Sequence, residues 1–195
     1  MNDTTNTKPK GAGKSSFELI DANKLADNLP LKKGLVILDL ACGRGAYSLH
    51  MSEIVGDEGL IYAMDLWDEG LLQLDKQIEE QNITNILPLH VDATIPEQID
   101  IDDYSIDICM MATVLHDFKE ANQTEAVLKE VKRLLKPNGC LAIIEFKKME
   151  GPPGPPIHIR LSENEVEKLV TGYGFEKSKV TDIGKYNYVM TFRSI

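Results

Sequence analysis

The chain has 195 residues, a length typical of one domain with a substantial buried core. Its formal net charge of −10, from 21 basic and 31 acidic residues, opposes binding to phosphate backbones and anionic lipid, so neither nucleic acid nor membrane is expected as a main partner. No apolar stretch approaches the roughly 18 residues of a transmembrane helix, and the first residues lack the hydrophobic core of a signal peptide, so a cytoplasmic location is expected.

The first residues of the chain predict a flexible tail over 1–14, followed by a single domain over 15–195. The tail is polar and has no hydrophobic periodicity, so it cannot repay the entropy of ordering. Its end, GAGKSS, resembles a phosphate-binding loop, but Lys8 stands where the first glycine of that motif belongs and no strand precedes it. Ser15 and Glu18 have the spacing of a capping box, which predicts a helix over 16–28.

From residue 35 the chain alternates between apolar, strand-like runs and amphipathic, helix-like runs. The strands are predicted over 35–40, 60–65, 86–92, 105–112 and 140–147, and the helices over 45–55, 67–81 and 123–135. Strands that are apolar on both faces and alternate with helices predict a mostly parallel sheet with helices on both faces. The fold class is therefore α/β, doubly wound.

The last third of the chain predicts a turn, a helix and a hairpin. The turn KPNG at 136–139 ends the preceding helix, because Pro137 cannot continue it and Asn138-Gly139 favours a turn. A helix is predicted over 162–174. Two strand-like runs, 176–184 and 185–195, then join at Gly184-Lys185 and predict an antiparallel C-terminal hairpin.

The stretch ILDLACGRG at 37–45 joins the first strand to a turn that contains two glycines. In a nicotinamide or flavin enzyme, Gly43 and Gly45 would be followed by a third glycine, but Ser48 stands there. Asp39 precedes Gly43 by four residues, and its carboxylate would repel a pyrophosphate. The turn therefore favours a cationic ligand, or a ligand amine, over a dinucleotide.

Two further acids, like Asp39, lie where a predicted strand ends. Asp65 ends the second strand, where a carboxylate can accept both hydroxyls of a ribose, and Asp92 ends the third, where it can accept from an exocyclic amine. Because the carboxyl ends of parallel strands meet at one edge of the sheet, the three acids should converge on one crevice. The ligand indicated contains an adenosine and a positive charge but no phosphates.

With these residues the chain resembles the class I S-adenosylmethionine-dependent methyltransferases. The matching stretches are VILDLACGRG, IYAMDLW, HVDAT, IDICMMATVLHDF and LLKPNGCLAIIEFK, and the likeness covers about residues 16–195. Within that family the segments LHDF and IIEFKK look most like the branch with quinone-biosynthesis and arsenite methyltransferases. An arsenic substrate is disfavoured, because Cys42 lies in the turn and Cys109 and Cys140 lie in strands.

The resemblance implies a seven-stranded sheet whose antiparallel seventh strand is inserted beside the fifth, and S-adenosyl-L-methionine as cofactor. Gly43 and Gly45 would approach its methionyl part, with Asp39 nearby ordering water or the amino group. Asp65 would hold the ribose and Leu66 would flank the adenine. The remaining implied contacts are Asp92 and Ala93 at the adenine amine edge, and Ala112 and Thr113 near the methionyl and sulfonium end. No metal is expected.

The reaction implied is in-line transfer of a methyl group to a small-molecule acceptor, with release of S-adenosylhomocysteine. Positioning and exclusion of water matter more than acids or bases in such a reaction. The helix 16–28 and the proline-rich segment 150–160 are predicted to cover the site. If a proton must be removed, the candidates for the base are His116 and Asp117 after the fourth strand and Glu145 and His158 around the fifth strand and its loop, and His116 is preferred. His116 and Asp117 could instead cap the following segment.

Alternatives from other classes stay open at this point. Trp67 could border the adenine or cover the start of its helix, and Tyr47 could contact the cofactor or pack in the core. A protein that binds the cofactor as a sensor or assembly factor, without transfer, fits the same residues. A nicotinamide-dependent oxidoreductase fits them less well, and a nucleic-acid methyltransferase is opposed by the acidic charge. A homodimer is possible.

Overall fold

The computed structural model describes residues 11–95 and 98–195, and within these ranges a seven-stranded sheet forms the centre of the molecule. The strand order is β3-β2-β1-β4-β5-β7-β6, with β7 antiparallel to both neighbours and the other pairs parallel. The strands are Val36–Leu40 (β1), Leu60–Asp65 (β2), Ile86–His90 (β3), Ile106–Ala112 (β4), Leu135–Phe146 (β5), Phe175–Asp182 (β6) and Asn187–Ser194 (β7). The predicted doubly wound fold, with an antiparallel strand inserted beside the fifth, is confirmed.

Helices cover both faces of this sheet. They are Ala22–Ala26 (α1), Ala46–Val55 (α2), Asp68–Gln81 (α3), Leu115–Glu120 (α4), Thr124–Leu134 (α5) and Glu163–Thr171 (α6). Alternate residues of each strand supply the two cores, because successive side chains of a strand point to opposite faces. In β1, Ile37 packs in the core shared with α1, α2 and α3, whereas Leu38 packs in the core shared with α5 and α6. This topology brings the carboxyl ends of β1, β2, β3 and β4 to one edge.

The N-terminal helix predicted over 16–28 is wrong in its extent and in its cap. The structure has a short 3-10 helix over Phe17–Leu19 and then α1. Ser15 Oγ accepts a hydrogen bond from Phe17 N at 3.1 Å, and no capping box forms with Glu18. Asp21 Oδ1 caps α1 instead, accepting from Lys24 N at 3.0 Å. Asp21 lies six residues after Ser15, and its carboxylate makes a charge-assisted bond at the start of α1, which is stronger than the bond of a neutral hydroxyl.

Strand β5 begins earlier than the predicted 140, because Leu135 already pairs with Ile106 of β4. The predicted turn KPNG therefore lies within β5. It coincides with a shift in the register of β5 against β4 between Ile106 and Ile108, and its Asn138 has φ 63. Of the predicted tail 1–14, residues 1–10 lie outside the described residues, while Gly11–Lys14 form a turn in which Lys14 N donates to Gly11 O at 3.2 Å.

Three features bear on the predicted location and on metal binding. Among the helices of the described ranges, none has the length and apolarity that crossing a bilayer requires. All three cysteines are buried free thiols, and burial is the main cause that raises the pKa of each. The pKa of Cys140 is raised to about 12. In the same ranges no group of three or more His, Cys, Asp or Glu side chains is placed to hold a metal ion.

Candidate active site at the carboxyl ends of the strands

A cavity of about 610 Å³ opens where β1, β2 and β3 end, and we call it the strand-end crevice. It is lined by apolar side chains and by a few polar groups. Five of the predicted site positions are in or beside its wall: Asp65, Leu66, Asp92 and Ala93 line it, and Asp39 lies in β1 next to the lining residue Leu40. A mostly apolar cavity with a few convergent polar groups is typical of a small-molecule site.

Asp39 is almost fully buried, at 1% exposure, and lies one residue before the end of β1. Its Oδ2 accepts a hydrogen bond of 2.6 Å from Ser48 Oγ, while its buried Oδ1 has no hydrogen-bond partner among the described residues. Burial raises the pKa of this carboxyl from 3.8 to about 7, and the Ser48 bond opposes that rise. An unsatisfied buried oxygen costs free energy, so Oδ1 is available for a donor other than the groups of residues 11–95 and 98–195.

Replacing Asp39 by Asn is expected to stabilise the ligand-free protein near pH 8 by about 2 kcal/mol and to weaken cofactor binding. The folded protein keeps the Asp39 proton between pH 3.8 and about 7, where the unfolded chain has lost it, so stability falls as pH rises through this window. Urea denaturation near pH 5 and pH 8 measures the difference. Asp57→Asn, at an exposed turn position, is the control. A loss of stability that is the same at both pH values contradicts this account.

The turn after β1 holds its backbone against α3 and leaves one face open. Gly43 has φ +60, and a Cβ there would meet nothing within 4 Å, so the space beside its backbone is available to a ligand. Gly45, at φ +73, faces the protein, since its Cβ would come within 2.4 Å of Leu74. Gly70 on α3 faces the turn, and its Cβ would lie 2.7 Å from Gly43 O. A glycine on α3, Gly70, thus provides the close helix approach that the motif lacks at Ser48.

Asp65 ties this turn to the start of α3. Its Oδ2 accepts from Gly43 N at 2.7 Å and its Oδ1 accepts from Trp67 N at 2.8 Å. Each carboxylate oxygen has two acceptor sites, so one lone pair on each oxygen is left for a ligand hydroxyl. The predicted position of Asp65 at the rim of the crevice is therefore matched by its geometry, and the side chain also fixes the turn.

The third wall of the crevice is the loop after β3. Asp92 Oδ1 accepts from both Thr94 N, at 2.8 Å, and Thr94 Oγ1, at 2.6 Å, which fixes the loop as an Asx turn. Leu66 and Ala93 both contribute apolar surface to the crevice wall. Leu66 is 47% exposed to solvent, whereas Ala93 is almost fully buried, at 8% exposure. The loop continues into Pro96 and Glu97, which lie outside the described residues.

Ala112 and Thr113 line a small pocket of about 60 Å³ beside Gly43, which we call the turn pocket. Thr113 also lines a third cavity of about 370 Å³. We call it the roofed cavity, and its lining includes Gly11, Lys14, Ser15, Ser16 and Leu19 of the N-terminal segment and 153–156 and Ile159 of the proline-rich segment. The two predicted covering segments therefore do meet over one space, which adjoins the turn pocket at Thr113 and the strand-end crevice at Asp117.

His116 is buried in the wall of the roofed cavity, at 5% exposure. Its Nδ1 lies 2.8 Å from Glu145 Oε2, and its backbone N donates to Glu145 Oε1 at 3.1 Å. Its Nε2 lies 3.6 Å from Asp117 Oδ2. Burial lowers the pKa of His116, but the hydrogen bond and charge of Glu145, with smaller effects of Asp117 and Glu120, outweigh burial and raise it overall.

The other candidates occupy different places. His158 is exposed and is not among the side chains that line the three cavities. Trp67 is buried against Gly70 at the start of α3, with the Arg44 guanidinium 5.4 Å from its ring centre. Tyr47 lines the turn pocket, and its hydroxyl shares a 2.8 Å hydrogen bond with Ser16 Oγ.

Two residues of the site have no clear signal in the sequence. Ser16 is 3% exposed and joins the N-terminal segment to Tyr47 and, at 3.4 Å, to Thr113 Oγ1. Arg160 is 1% exposed and donates to four backbone carbonyls around the proline-rich segment. A serine before a helix and an arginine after a proline-rich loop are common on surfaces, so sequence reasoning alone does not single them out.

Comparisons with known proteins match this chain to methyltransferases. The model of the ubiE/COQ5 methyltransferase family matches residues 17–155. A demethylmenaquinone methyltransferase from Lactobacillus johnsonii is 31% identical over 166 residues, which are 85% of this chain and 63% of that protein. A fibrillarin-like rRNA/tRNA 2'-O-methyltransferase from Pyrococcus furiosus is 31% identical over 57% of this chain and 46% of that protein. The chain thus spans less than two thirds of the curated relatives it matches first.

A solved structure covers almost the whole chain. The SAM-dependent methyltransferase from Aquifex aeolicus is 30% identical and superposes with a TM-score of 0.83, covering 95% of this chain and 96% of that one. The open face at Gly43 and the unpartnered Asp39 Oδ1 fit a cofactor that bears an amine and lies along the turn. The chain belongs to the ubiE/COQ5 methyltransferase family, with a class I fold and S-adenosylmethionine as cofactor.

Proposed function

We propose that this chain transfers a methyl group from S-adenosylmethionine to a small-molecule acceptor bound in the roofed cavity. When bound, the cofactor supplies a methyl group on a positively charged sulfur. The observation that carries the proposal is the junction of the cavities: Thr113 lines both the turn pocket and the roofed cavity, and Asp117 lines both the roofed cavity and the strand-end crevice. A donor along the turn and an acceptor under the roof would therefore meet near Thr113.

The residues proposed to hold the cofactor act in two groups. In the strand-end crevice, Asp65 accepts from the ribose hydroxyls, Leu66 covers one face of the adenine, and Asp92 with Ala93 contacts its amine edge. At the turn, the contacts are with the methionyl part, and they are proposed for Asp39, Gly43, Gly45, Ala112 and Thr113. Gly45 contributes through the shape of the turn, since its α-carbon faces Leu74 rather than the open side.

The roof indicates what kind of acceptor fits. Leu19, Phe146, Pro155 and Ile159 give the roofed cavity apolar walls, while Lys14 and His116 add positively charged or polarisable groups. A volume of about 370 Å³ lies within the range of ordinary ligand cavities and suits a compact molecule. We propose an acceptor with an apolar, ring-like body. The name demethylmenaquinone methyltransferase, carried by the relative from Lactobacillus johnsonii, supports a quinone-type compound of this kind.

An RNA acceptor is the second candidate, supported by the fibrillarin-like relatives. The net charge of −10 opposes it, because RNA binding depends on neutralising phosphates with basic side chains. A sensor or assembly factor that binds the cofactor without transfer would keep the crevice but would not need the roofed cavity. A nicotinamide oxidoreductase would place a pyrophosphate near Asp39 and Asp65. A cytoplasmic location and a homodimer stay predictions.

The experiment has two stages. Thermal shift with S-adenosylmethionine, S-adenosylhomocysteine and NAD is expected to show stabilisation by the first two ligands, because binding to the folded state raises the melting temperature. A panel of hydroxylated aromatic, quinol and RNA acceptors is then screened for production of S-adenosylhomocysteine. Stabilisation by NAD alone contradicts the proposal, binding without turnover of any acceptor favours the sensor, and turnover of RNA alone assigns the second candidate.

A further inference from the structure

The wall of the roofed cavity contains a buried pair of ionisable side chains that the cofactor contacts do not use. Glu145, at the end of β5, is 0% exposed, and both of its carboxylate oxygens are directed at His116. Its neighbours on β7 supply no counter-charge: Asn187 donates to the backbone carbonyl of Glu145 at 3.4 Å, and the Tyr188 hydroxyl donates to Leu161 O at 2.7 Å. A buried carboxylate needs a partner that carries a positive charge or donates strongly.

His116 is the group that meets this need, and its orientation is fixed by the same contact. Glu145 occupies Nδ1, so the second ring nitrogen, Nε2, is left for other partners. Nε2 lies 3.6 Å from Asp117 Oδ2, and both residues line the roofed cavity. Lys14 faces the same cavity from the N-terminal segment. The ionisable groups around the imidazole are therefore three acids, Glu145, Asp117 and Glu120, with Lys14 across the cavity.

We infer that Glu145 holds His116 as an imidazolium, and that His116 acts by donating a hydrogen bond from Nε2 to an ionised oxygen of the acceptor rather than by removing its proton. The inference rests on the proposed function and names the acceptor class more closely, as a compound with an acidic hydroxyl. Glu145 is then a positioning residue. The raised pKa of His116 agrees, since it increases the protonated fraction near neutral pH.

Charge is balanced in this scheme without a protein base. The hydroxyl proton passes to water when the acceptor binds as an anion beside the imidazolium. An electron pair of the acceptor then forms the bond to the methyl carbon, while the carbon–sulfur bond breaks and its electron pair stays on sulfur. The negative charge of the acceptor and the positive charge of the sulfonium are both lost. His116 stays protonated throughout and returns to its starting state.

The two roles of His116 predict opposite pH profiles. A base must be neutral, so activity would rise as pH increases through the pKa of His116. An imidazolium is lost as pH increases, so activity falls on the alkaline side. In Glu145→Gln, the amide keeps an oxygen acceptor for Nδ1 but removes the charge that raises the pKa, so the alkaline fall is expected to move down by about one pH unit or more. If the role of Glu145 were purely structural, Glu145→Gln would lower activity without changing the pH at which activity falls on the alkaline side.

Two measurements decide the inference without turnover. Long-range proton–nitrogen NMR of labelled histidine rings, with His116 assigned through His116→Asn among the four histidines, shows whether both ring nitrogens carry protons near pH 7. The probe 4-nitrophenol absorbs visible light only as an anion, so its spectrum shows whether it binds ionised. We expect a protonated His116 and a bound phenolate in the wild type, and about tenfold weaker phenolate binding in Glu145→Gln and in His116→Asn.

His158→Asn, which removes an exposed histidine outside the cavity wall, is the matched control and is expected to bind the probe like the wild type. If Glu145→Gln does not fold, the wild-type spectrum and His116→Asn still decide the question. A neutral His116 near pH 7 in the wild type, or a probe that binds un-ionised or equally well to His116→Asn, overturns the inference. Failure of the proposed function is separate, because it appears as absence of turnover while the ring spectrum is unchanged.

Discussion

Replacing Asp65 by Ala is expected to weaken binding of S-adenosylhomocysteine by about 100-fold or more, the largest loss expected from any single change at the crevice. Two hydrogen bonds from ribose hydroxyls to a carboxylate would disappear, and each charge-assisted bond contributes about 1.5–3 kcal/mol. The same side chain accepts from Gly43 N and Trp67 N, so the turn that faces the methionyl part also loses its tie to α3. Isothermal titration calorimetry with S-adenosylhomocysteine measures the change.

The structural and the direct contributions of Asp65 can be separated. Asp65→Asn keeps an oxygen acceptor for one of the two backbone N–H groups but loses the charge, so it should retain more of the turn than Asp65→Ala and still bind weakly. Asp75→Asn removes the same charge from an exposed position on α3 and is the control. Binding that differs less than about threefold between Asp65→Ala and Asp75→Asn contradicts the placement of the ribose.

The residues of the crevice were the part of the site that sequence could predict. Asp39 and Asp65 lie within the last two residues of β1 and β2, and Asp92 lies two residues after β3, positions that can be read from the change of apolar runs into turns. Parallel strands must then bring these ends together, so three local patterns become one three-dimensional site. The hydrogen-bond partners of these side chains could not be predicted from the sequence. Asp39 accepts a hydrogen bond from Ser48, and Asp65 holds the backbone of the turn as well as lining the cavity. Both contacts depend on the directions of the side chains, which the sequence pattern does not give.

The roofed cavity could be predicted only in outline. Both covering segments were identified from their positions beside the sheet edge, but the joint between Ser16, Tyr47 and Thr113 links residues 31 and 97 positions apart. The His116–Glu145 contact likewise joins the end of β5 to the start of α4, at a separation of 29 residues. Such pairs have no periodicity along the chain, because they depend on how separate elements pack: the first joins the N-terminal segment to α2 and to the residue after β4, and the second follows from the pairing of β4 with β5. The helix cap at Asp21 was missed for a different reason: serine and aspartate are both favoured at helix N-caps, but only Ser15 is followed three residues later by a glutamate, so the capping-box pattern favours Ser15.

The proline-rich segment is organised by one charged side chain, Arg160. Arg160 Nε donates to Pro155 O at 2.8 Å, and its terminal nitrogens donate to Lys147 O, Gly151 O and Pro153 O at 3.2, 2.6 and 2.7 Å. Its guanidinium also lies 5.6 Å from the ring centre of Phe146, which lines the roofed cavity. Prolines cannot donate backbone hydrogen bonds, so the carbonyls of this loop depend on a side-chain donor, which Arg160 supplies.

Replacing Arg160 by Ala is therefore expected to lower the free energy of unfolding by about 3 kcal/mol and to impair acceptor use more than cofactor binding. Four part-buried carbonyls would lose their donor, at about 1–3 kcal/mol for each one that water cannot reach. Urea denaturation measures the first effect. Faster proteolysis within 150–160, and a raised KM for the acceptor with unchanged affinity for S-adenosylhomocysteine, measure the second.

Arg193→Ala, which removes an exposed arginine paired with Glu176, is the control and is expected to lower the free energy of unfolding by less than about 1 kcal/mol. If the two variants lose equal stability, or if Arg160→Ala weakens cofactor binding as strongly as acceptor use, Arg160 does not hold the roof in place.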